Sequence, residues 1–131
     1  MKLQTATRLG LYAILELARD PARTLSSADL AQRFGVSTHS LAKVLGTLSV
    51  AGLVQGGRGA SGGYRFTGNR RRITLMDIVA LFEPAPGNRA KEPGEDTEIG
   101  GALQRILTEI DEIAEATLRS VSLETMLRAR S

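Results

Sequence analysis

Residues 25–53 read LSSADLAQRFGVSTHSLAKVLGTLSVAGL, and they contain two consecutive helix signals joined by a glycine. Ser26 is a favourable N-cap, and Asp29 occupies the position that completes a capping box for the first helix. Gly35 is a typical stop at the end of that helix, and Ser37 is a favourable cap for the second. Two short helices joined by a tight glycine-containing turn predict a helix-turn-helix.

The second of these helices, predicted over residues 38–51, has two distinct faces. Its apolar residues recur at the spacing of one buried face, which comprises Leu41, Val44, Leu45 and Leu48. The major groove of DNA admits one α-helix, whose side chains near the N-terminus reach the base edges. We therefore predict DNA contacts from the other side of this helix and from its cap: Ser37, Thr38, His39, Ser40, Lys43 and Thr47. An ordinary solvated helix face is the alternative interpretation.

A glycine-rich hairpin, LVQGGRGASGGYRF, follows over residues 53–66. Leu53 and Val54 predict one strand, and the alternating residues 64–66 predict a returning strand, so the pair forms a wing. Arg58 falls among glycines at the predicted tip, where it could enter a minor groove that attracts guanidinium groups. The DNA contacts predicted for the wing are Arg58, Ser61, Gly62, Gly63, Tyr64 and Arg65. A flexible hairpin with charges for solubility is the alternative.

The arginine run Arg70–Arg72 follows the wing and has two open interpretations, either contact with backbone phosphates or a solvated turn. Thr74 then caps a fourth helix, with Asp77 in the capping-box position. Residues 84–98, PAPGNRAKEPGEDTE, are rich in proline, glycine and charge, which predicts a loop or a disordered segment.

A long helix is predicted from about residue 99 to 118, and Ser122 could cap a short final turn. Large apolar residues recur along the long helix at alternating spacings of four and three, which is typical of a helix that pairs with another helix. The predicted dimerisation residues are Ile99, Leu103, Ile106, Ile110 and Ile113.

These signals predict a mainly α fold with a small β-hairpin wing, in which a winged helix-turn-helix domain precedes a long C-terminal dimerisation helix. We expect residues 1–83 to form the DNA-binding domain and residues 84–98 to form a loop or disordered linker. Residues 99–131 then form the dimerisation helix and a C-terminal tail.

The charge of the chain is unevenly distributed. Residues 1–83 contain 11 Lys and Arg against 5 Asp and Glu, whereas residues 84–131 contain 6 against 9. Basic charge concentrated around a helix-turn-helix is the electrostatic pattern of a nucleic-acid binder, so we expect double-stranded DNA as a partner.

The composition argues against catalysis. The chain has no cysteine and a single histidine, His39, so thiolate nucleophiles, cysteine-ligated metals and a histidine pair are all impossible. No serine lies in a nucleophile-elbow motif. The acidic residues Glu92, Glu95, Asp96 and Glu98 could bind a hard cation through oxygen, although a solvated acidic loop is the simpler interpretation. We therefore expect no enzymatic activity, no cofactor and no metal site.

No apolar run approaches the roughly 20 residues of a membrane-spanning helix. The N-terminus also lacks a convincing signal-peptide cleavage site. The sequence therefore predicts a cytoplasmic protein without a membrane partner.

In order and spacing, residues 1–83 resemble the Rrf2 (Rrf-two) family of winged helix-turn-helix transcription regulators. The matching stretches are MKLQTATRLGLYAILELA in the first helix, residues 25–54, RGASGGYRF in the wing, and ITLMDIVALFEP in the fourth helix. The resemblance implies a homodimer that binds a pseudo-palindromic operator, and we expect it to act as a repressor. It also implies that Arg58 enters the minor groove and that the recognition helix begins at Thr38.

One departure from the family pattern concerns regulation. Sensing members of the family carry three cysteines between the fourth helix and the long helix, where they bind an iron–sulfur cluster, but residues 84–102 here contain none. We therefore expect a cysteine-free member without a cluster, regulated by an effector protein, a small molecule or its own abundance. The alternative function is a winged-helix module that binds protein, although such modules usually lack a basic wing.

Overall fold

The computed structural model describes residues 2–57, 62–84 and 89–129 of the 131-residue chain. The elements follow one another as α1 (Thr5–Arg19), α2 (Ser27–Phe34), α3 (Thr38–Val50), β1 (Val54–Gly56), β2 (Tyr64–Phe66), α4 (Leu75–Phe82), α5 (Glu98–Ser120) and α6 (Leu123–Ala129). The predicted fold class is confirmed, since the described residues form a mostly helical chain with a two-stranded antiparallel hairpin.

Helix boundaries follow the capping residues. The Asp29 amide donates to the Ser26 hydroxyl at 3.0 Å, and the Ser26 amide donates to the Asp29 carboxylate at 2.9 Å. This reciprocal pair lowers the pKa of Asp29, because hydrogen bonds from Ser26 stabilise its charged form. Gly35 ends α2 with φ 68°, a left-handed conformation in which glycine has no steric penalty. Thr74 and Asp77 form the same capping box at α4.

The core lies between α1, α2, α3 and α4 and under the hairpin. The apolar stripe predicted for α3 is buried, with Leu41, Leu45 and Leu48 fully enclosed and Val44 nearly so. Ile14 and Leu17 of α1 are equally buried. Removing each such side chain from water contributes about 1.5–3 kcal/mol to folding, so this stripe fixes which face of α3 points outward.

The hairpin pairs Val54 with Phe66 and Gly56 with Tyr64, and both Val54 and Phe66 are buried. Leu25, just before α2, forms a further antiparallel bridge to Tyr64. The wing therefore rests on the core at its base and is joined by backbone to the entrance of the helix-turn-helix.

The last two helices differ in their relation to this core. None of the described residues of α5 is buried within the chain. Helix α6 returns to the core, where Leu123 is fully buried and Leu127 nearly so. Thr74 and Ser122 form an antiparallel bridge beside it. The tail that follows α5 thus packs with the winged helix-turn-helix elements, whereas α5 contacts α4 without burying any of its own residues.

Candidate nucleic-acid interface

The N-terminus of α3 presents a row of small polar side chains to solvent. Ser37 caps the helix, because its hydroxyl oxygen accepts a hydrogen bond from the Ser40 amide at 3.1 Å. The Ser37 hydroxyl in turn donates to the Ser40 hydroxyl at 2.8 Å. Thr38 and His39 lie beside them, and both are exposed. This first turn can offer amides, hydroxyls and an imidazole to phosphates or base edges.

One turn further along α3, Lys43 and Ala42 are exposed, while Gly46 and Thr47 are half-buried. The Thr47 hydroxyl donates to the Lys43 carbonyl at 3.3 Å, so its oxygen is turned towards the helix backbone. No group within 4 Å would meet a Cβ at Gly46, which leaves a flat surface there. Of the residues predicted on α3 and its cap, all are exposed except the half-buried Thr47, and we call the surface that they form the α3 face.

Of the wing residues that the structure describes, Gly62 and Gly63 directly precede β2, and Tyr64 and Arg65 belong to it. Gly62, Gly63 and Tyr64 are half-buried, and Arg65 is exposed. The Arg65 guanidinium donates to the Gln55 side-chain oxygen on the neighbouring strand at 2.8 Å. This cross-strand bond holds the arginine extended along the hairpin, with further donors left for an acceptor. Arg58 and Ser61 lie outside the described residues, so their predicted contacts stay predictions.

Arg70 has a role that neither interpretation of the arginine run anticipated. Its guanidinium donates to the Ala18 carbonyl at the end of α1 at 2.9 Å. Its Nε also pairs with the Glu124 carboxylate of α6 at 2.6 Å. Arg70 therefore ties α6 to the core, whereas Arg71 and Arg72 are exposed.

A charge cluster behind the helix-turn-helix was missed at the sequence level. Glu16 of α1 lies 3.0 Å from Arg19, 3.0 Å from Arg33 of α2 and 3.8 Å from Arg23. Three cations around one largely covered carboxylate brace α2 against α1. Spacing along α1 could have suggested only the i,i+3 pair with Arg19, because the other two partners come from different elements.

The predicted seam on α5 is exposed along its whole length. Its members retain much of their surface in contact with solvent: Ile99 84%, Leu103 58%, Ile106 55%, Ile110 49% and Ile113 62%. A continuous row of large apolar side chains on a solvated helix is unusual for a monomer and marks an interaction surface. The helix begins at Glu98, one residue earlier than the seam suggested, because Thr97 caps it through the Gly100 amide at 3.0 Å.

The described part of the 84–98 segment is held by ion pairs. Arg89 contacts Glu95, which also accepts a hydrogen bond from the Glu92 amide at 2.9 Å. The Arg89 guanidinium and then this amide lower the pKa of Glu95, and the carboxylate raises the pKa of Arg89. Lys91 pairs with Asp96 at 2.7 Å. Residues 89–97 therefore form an organised turn before α5.

No helix within residues 2–57, 62–84 and 89–129 is long and apolar enough to cross a membrane.

The fold and the α3 face with its wing define a winged helix-turn-helix transcription regulator. The model of the Rrf2 family, described as an iron-dependent transcriptional regulator, matches residues 3–129, nearly the whole chain. The chain therefore belongs to the Rrf2 family, which confirms the resemblance found in its motifs.

Relatives of this chain are also regulators by name. The HTH-type transcriptional regulator BadM of Rhodopseudomonas palustris is 48% identical over 128 residues, 98% of this chain and 82% of BadM. The structure is similar to that of CymR (YrzC), the global cysteine regulator of B. subtilis, with 28% identity and a TM-score of 0.80 over 100% of this chain and 99% of CymR. It is also similar to IscR of T. potens, with 26% identity and a TM-score of 0.76 over 98% and 87%.

The iron in the family description does not fit the donors that this chain offers. The sequence has no cysteine, and its single histidine, His39, is exposed on α3. In the turn before α5, Glu95 and Asp96 are already engaged by Arg89 and Lys91. Across the part of the chain that the structure describes, no group of three or more His, Cys, Asp or Glu side chains could hold a metal. A cysteine-ligated cluster therefore has no ligands here.

Proposed function

We propose that this chain is a sequence-specific DNA-binding repressor that binds a pseudo-palindromic operator as a homodimer, without an iron–sulfur cluster. The observation that carries the proposal is the α3 face, where Thr38, His39 and Lys43 are exposed together, in a chain whose hairpin also exposes Arg65. Such a surface matches a recognition helix in the major groove with a wing along the adjacent backbone.

The residues proposed to contact DNA belong to two groups. Those from α3 and its cap are Ser37, Thr38, His39, Ser40, Lys43 and Thr47. Those from the wing are Arg58, Ser61, Gly62, Gly63, Tyr64 and Arg65. Amides and hydroxyls at the start of α3 would position the helix on phosphates, and Lys43 and His39 would reach base edges. Arg58 would enter the minor groove.

The roles that we propose for the three segments of the chain follow from the exposure of α5. Residues 1–83 would read DNA, residues 84–98 would link, and the α5 seam of residues 99–113 would join two chains. A two-fold axis that relates two α5 helices through this seam would relate their two α3 helices as well, as an inverted-repeat operator requires. The buried residues of α6 would keep each α5 fixed to its own reading domain.

Repression is the proposed outcome because a dimer bound across a promoter excludes RNA polymerase by its volume alone. Transcription from a template carrying the operator should fall as the protein is added to purified polymerase. An increase in transcript would make the protein an activator instead.

DNA binding itself is tested with duplex recovered by a genome-wide pull-down of bound DNA. Affinity for this duplex should fall steeply as salt rises, because bound lysines and arginines release counterions from the phosphates. A protein-binding winged-helix module, the alternative function, would show weak affinity without preference for the recovered sequence.

Arg58→Ala tests the wing in the same assay. Loss of one specific arginine contact should weaken operator binding by about 1–3 kcal/mol, while the free energy of unfolding stays within about 0.5 kcal/mol of the parent. Arg128→Ala is the control, since Arg128 is an exposed arginine of α6, outside the wing, and pairs with Glu124 at 3.3 Å. Equal losses for both variants would mean that only net charge matters.

A further inference from the structure

An open cavity of about 360 Å³ lies between the 89–97 turn and the first half of α5. Lys91, Glu95 and Asp96 line it from the turn, and Gly101, Gln104 and Arg105 line it from the helix. Its volume falls within the usual range for small-molecule sites. None of the DNA contacts or seam residues proposed above belongs to this cavity.

The two carboxylates in the cavity wall are already neutralised. Asp96 accepts a hydrogen bond from Lys91 at 2.7 Å. Glu95 is bound by Arg89 and by the Glu92 amide, and the lowered pKa of Glu95 agrees with this engagement. These acidic groups therefore offer little attraction for a cationic ligand.

Arg105 is the charged side chain of the cavity that forms no ion pair within the described residues. Among the residues that the structure describes, its guanidinium has no ion pair or hydrogen-bond partner. Gln104 beside it donates to the Thr108 hydroxyl at 3.3 Å, and Thr108, which also lines the cavity, has an O–H that can donate to a ligand. A guanidinium presents donors in a planar fork that matches a carboxylate or phosphate in a bidentate pair. The cavity thus combines an unpaired cation with neutral polar groups, which suits an anion.

The cavity lies on the side of α5 away from the seam. In the heptad that places Ile99, Leu103, Ile106 and Ile110 at the a and d positions, Gly101 and Thr108 occupy f, Gln104 occupies b and Arg105 occupies c. Positions b, c and f are the outer surface of a helix pair. Pairing of two α5 helices through the seam would therefore leave both cavities open to solvent.

Two glycines shape the junction between the turn and the helix. A Cβ at Gly100 would come within 1.9 Å of the Gly94 carbonyl oxygen, so the turn is seated directly on the first turn of α5. At Gly101, a Cβ would have only an ordinary contact, 3.8 Å from the Glu95 carbonyl oxygen. The side chain missing at Gly101 is what keeps the floor of the cavity open.

We propose that this cavity binds a small organic anion, whose carboxylate or phosphate group pairs with Arg105, and that the anion is the effector of the regulator. The turn connects the DNA-reading elements to α5. An anion paired with Arg105 at the junction between the turn and α5 would change how the turn is held against α5 and shift the dimer towards a state with weaker operator affinity. A ligand can shift that balance only as far as its affinities for the two states differ. The effector role rests on the proposed function, whereas binding of the anion does not.

Calorimetric titration of the full chain with succinate and with inorganic phosphate tests the site without DNA. We expect saturable binding of at least one anion with a Kd of about 1 mM or tighter. Succinamide, which is neutral and of similar shape to succinate, should not bind. If neither anion binds the parent in this range, the proposed site is wrong.

Arg105→Gln should weaken the binding at least tenfold. Arg119→Gln is the matched control, because Arg119 also occupies a c position on α5, two heptads later, and pairs with Glu115 at 3.6 Å outside the cavity. Equal losses in the two variants would show general charge screening and overturn the proposal. Changes in backbone amide NMR shifts on titration should centre on residues 91–108, and shifts centred on α3 would overturn the location.

Operator binding, measured with and without a saturating concentration of the anion, then tests the effector role. We expect affinity to fall several-fold for the parent and to stay constant for Arg105→Gln. Anion binding without any change in operator affinity would refute the effector role and leave the binding site intact. Failure of the parent to bind operator at all would refute the proposed function, while the anion titration still reports on the cavity.

Discussion

Leu25 and Tyr64 are joined by two backbone hydrogen bonds, one in each direction. The Tyr64 amide donates to the Leu25 carbonyl at 2.7 Å, and the Leu25 amide donates to the Tyr64 carbonyl at 3.0 Å. Leu25 directly precedes the cap of α2, and Tyr64 begins the returning strand of the wing. These bonds tie the base of the wing to the entrance of the helix-turn-helix, as the proposed contact with two adjacent grooves requires.

Gly63 makes this junction possible, because a Cβ at this position would lie 3.0 Å from the carbonyl carbon and oxygen of Leu25. Gly63→Ala should force the strands apart at a cost of about 1–3 kcal/mol, the usual scale of overpacking. The change should appear as faster hydrogen exchange at the Leu25 and Tyr64 amides. Gly57→Ala is the control, since a Cβ there would make only ordinary contacts at 3.7 Å or more. Unchanged hydrogen exchange in Gly63→Ala would mean that the junction accommodates the added methyl group without separating.

The two faces of α3 should respond differently to truncation. Leu45→Ala removes a fully buried side chain and should lower the free energy of unfolding by about 2–5 kcal/mol. Lys43→Ala, two residues away on the exposed face, should leave stability near that of the parent and weaken or retune operator binding. Chemical denaturation and DNA titration of both variants give the comparison. A stable Leu45→Ala with an unfolded Lys43→Ala would mean that the helix faces are reversed.

Local signals in the sequence predicted most of the helix boundaries correctly. The capping box of Ser26 and Asp29, the left-handed Gly35 and the cap at Thr74 each depend on residues within one turn. The same holds for the apolar stripe of α3, because a period of 3.6 residues is a property of one helix. Such features are readable without knowledge of the rest of the fold.

Features that join distant elements were not readable in this way. Arg70 looked like a phosphate ligand or a solvated residue, yet its partners Ala18 and Glu124 come from α1 and α6. The bridge from Leu25 to Tyr64 likewise spans the whole helix-turn-helix. No periodicity in the sequence predicts these contacts, because each depends on how the tertiary fold brings two separate segments together.

Helix α6 offers a test of how far the C-terminal tail supports the DNA-reading elements. Leu123 is fully buried, so Leu123→Ala should lower the free energy of unfolding by about 2–5 kcal/mol. Met126→Ala, in the same helix with 39% of its surface exposed, should cost much less. Thermal unfolding monitored through signals of α1 and α3 makes the comparison. Loss of α6 signals alone, with α1 and α3 intact, would show that the tail folds separately.

The α5 seam carries the most consequential prediction, since symmetry at the protein level dictates symmetry in the operator. Ile106→Glu combined with Ile110→Glu should place like charges in the seam and split the dimer. Gln104→Glu combined with Thr108→Glu adds the same charge on the outer face and should leave the dimer intact. Sedimentation of the parent at tens of micromolar should give a dimer, and only the seam variant should give a monomer.

The same pair of variants then tests the DNA geometry. In a dimer, the two recognition helices should face successive major grooves about 34–36 Å apart, so the operator should be an inverted repeat with half-sites one helical turn apart or a multiple of it. The seam variant should lose specific operator binding, because each monomer keeps half the contacts, yet retain weak salt-sensitive binding through its basic residues. The outer-face variant should bind close to the parent. A parent protein that sediments as a monomer and still binds one operator tightly would refute both the dimer and the inverted repeat.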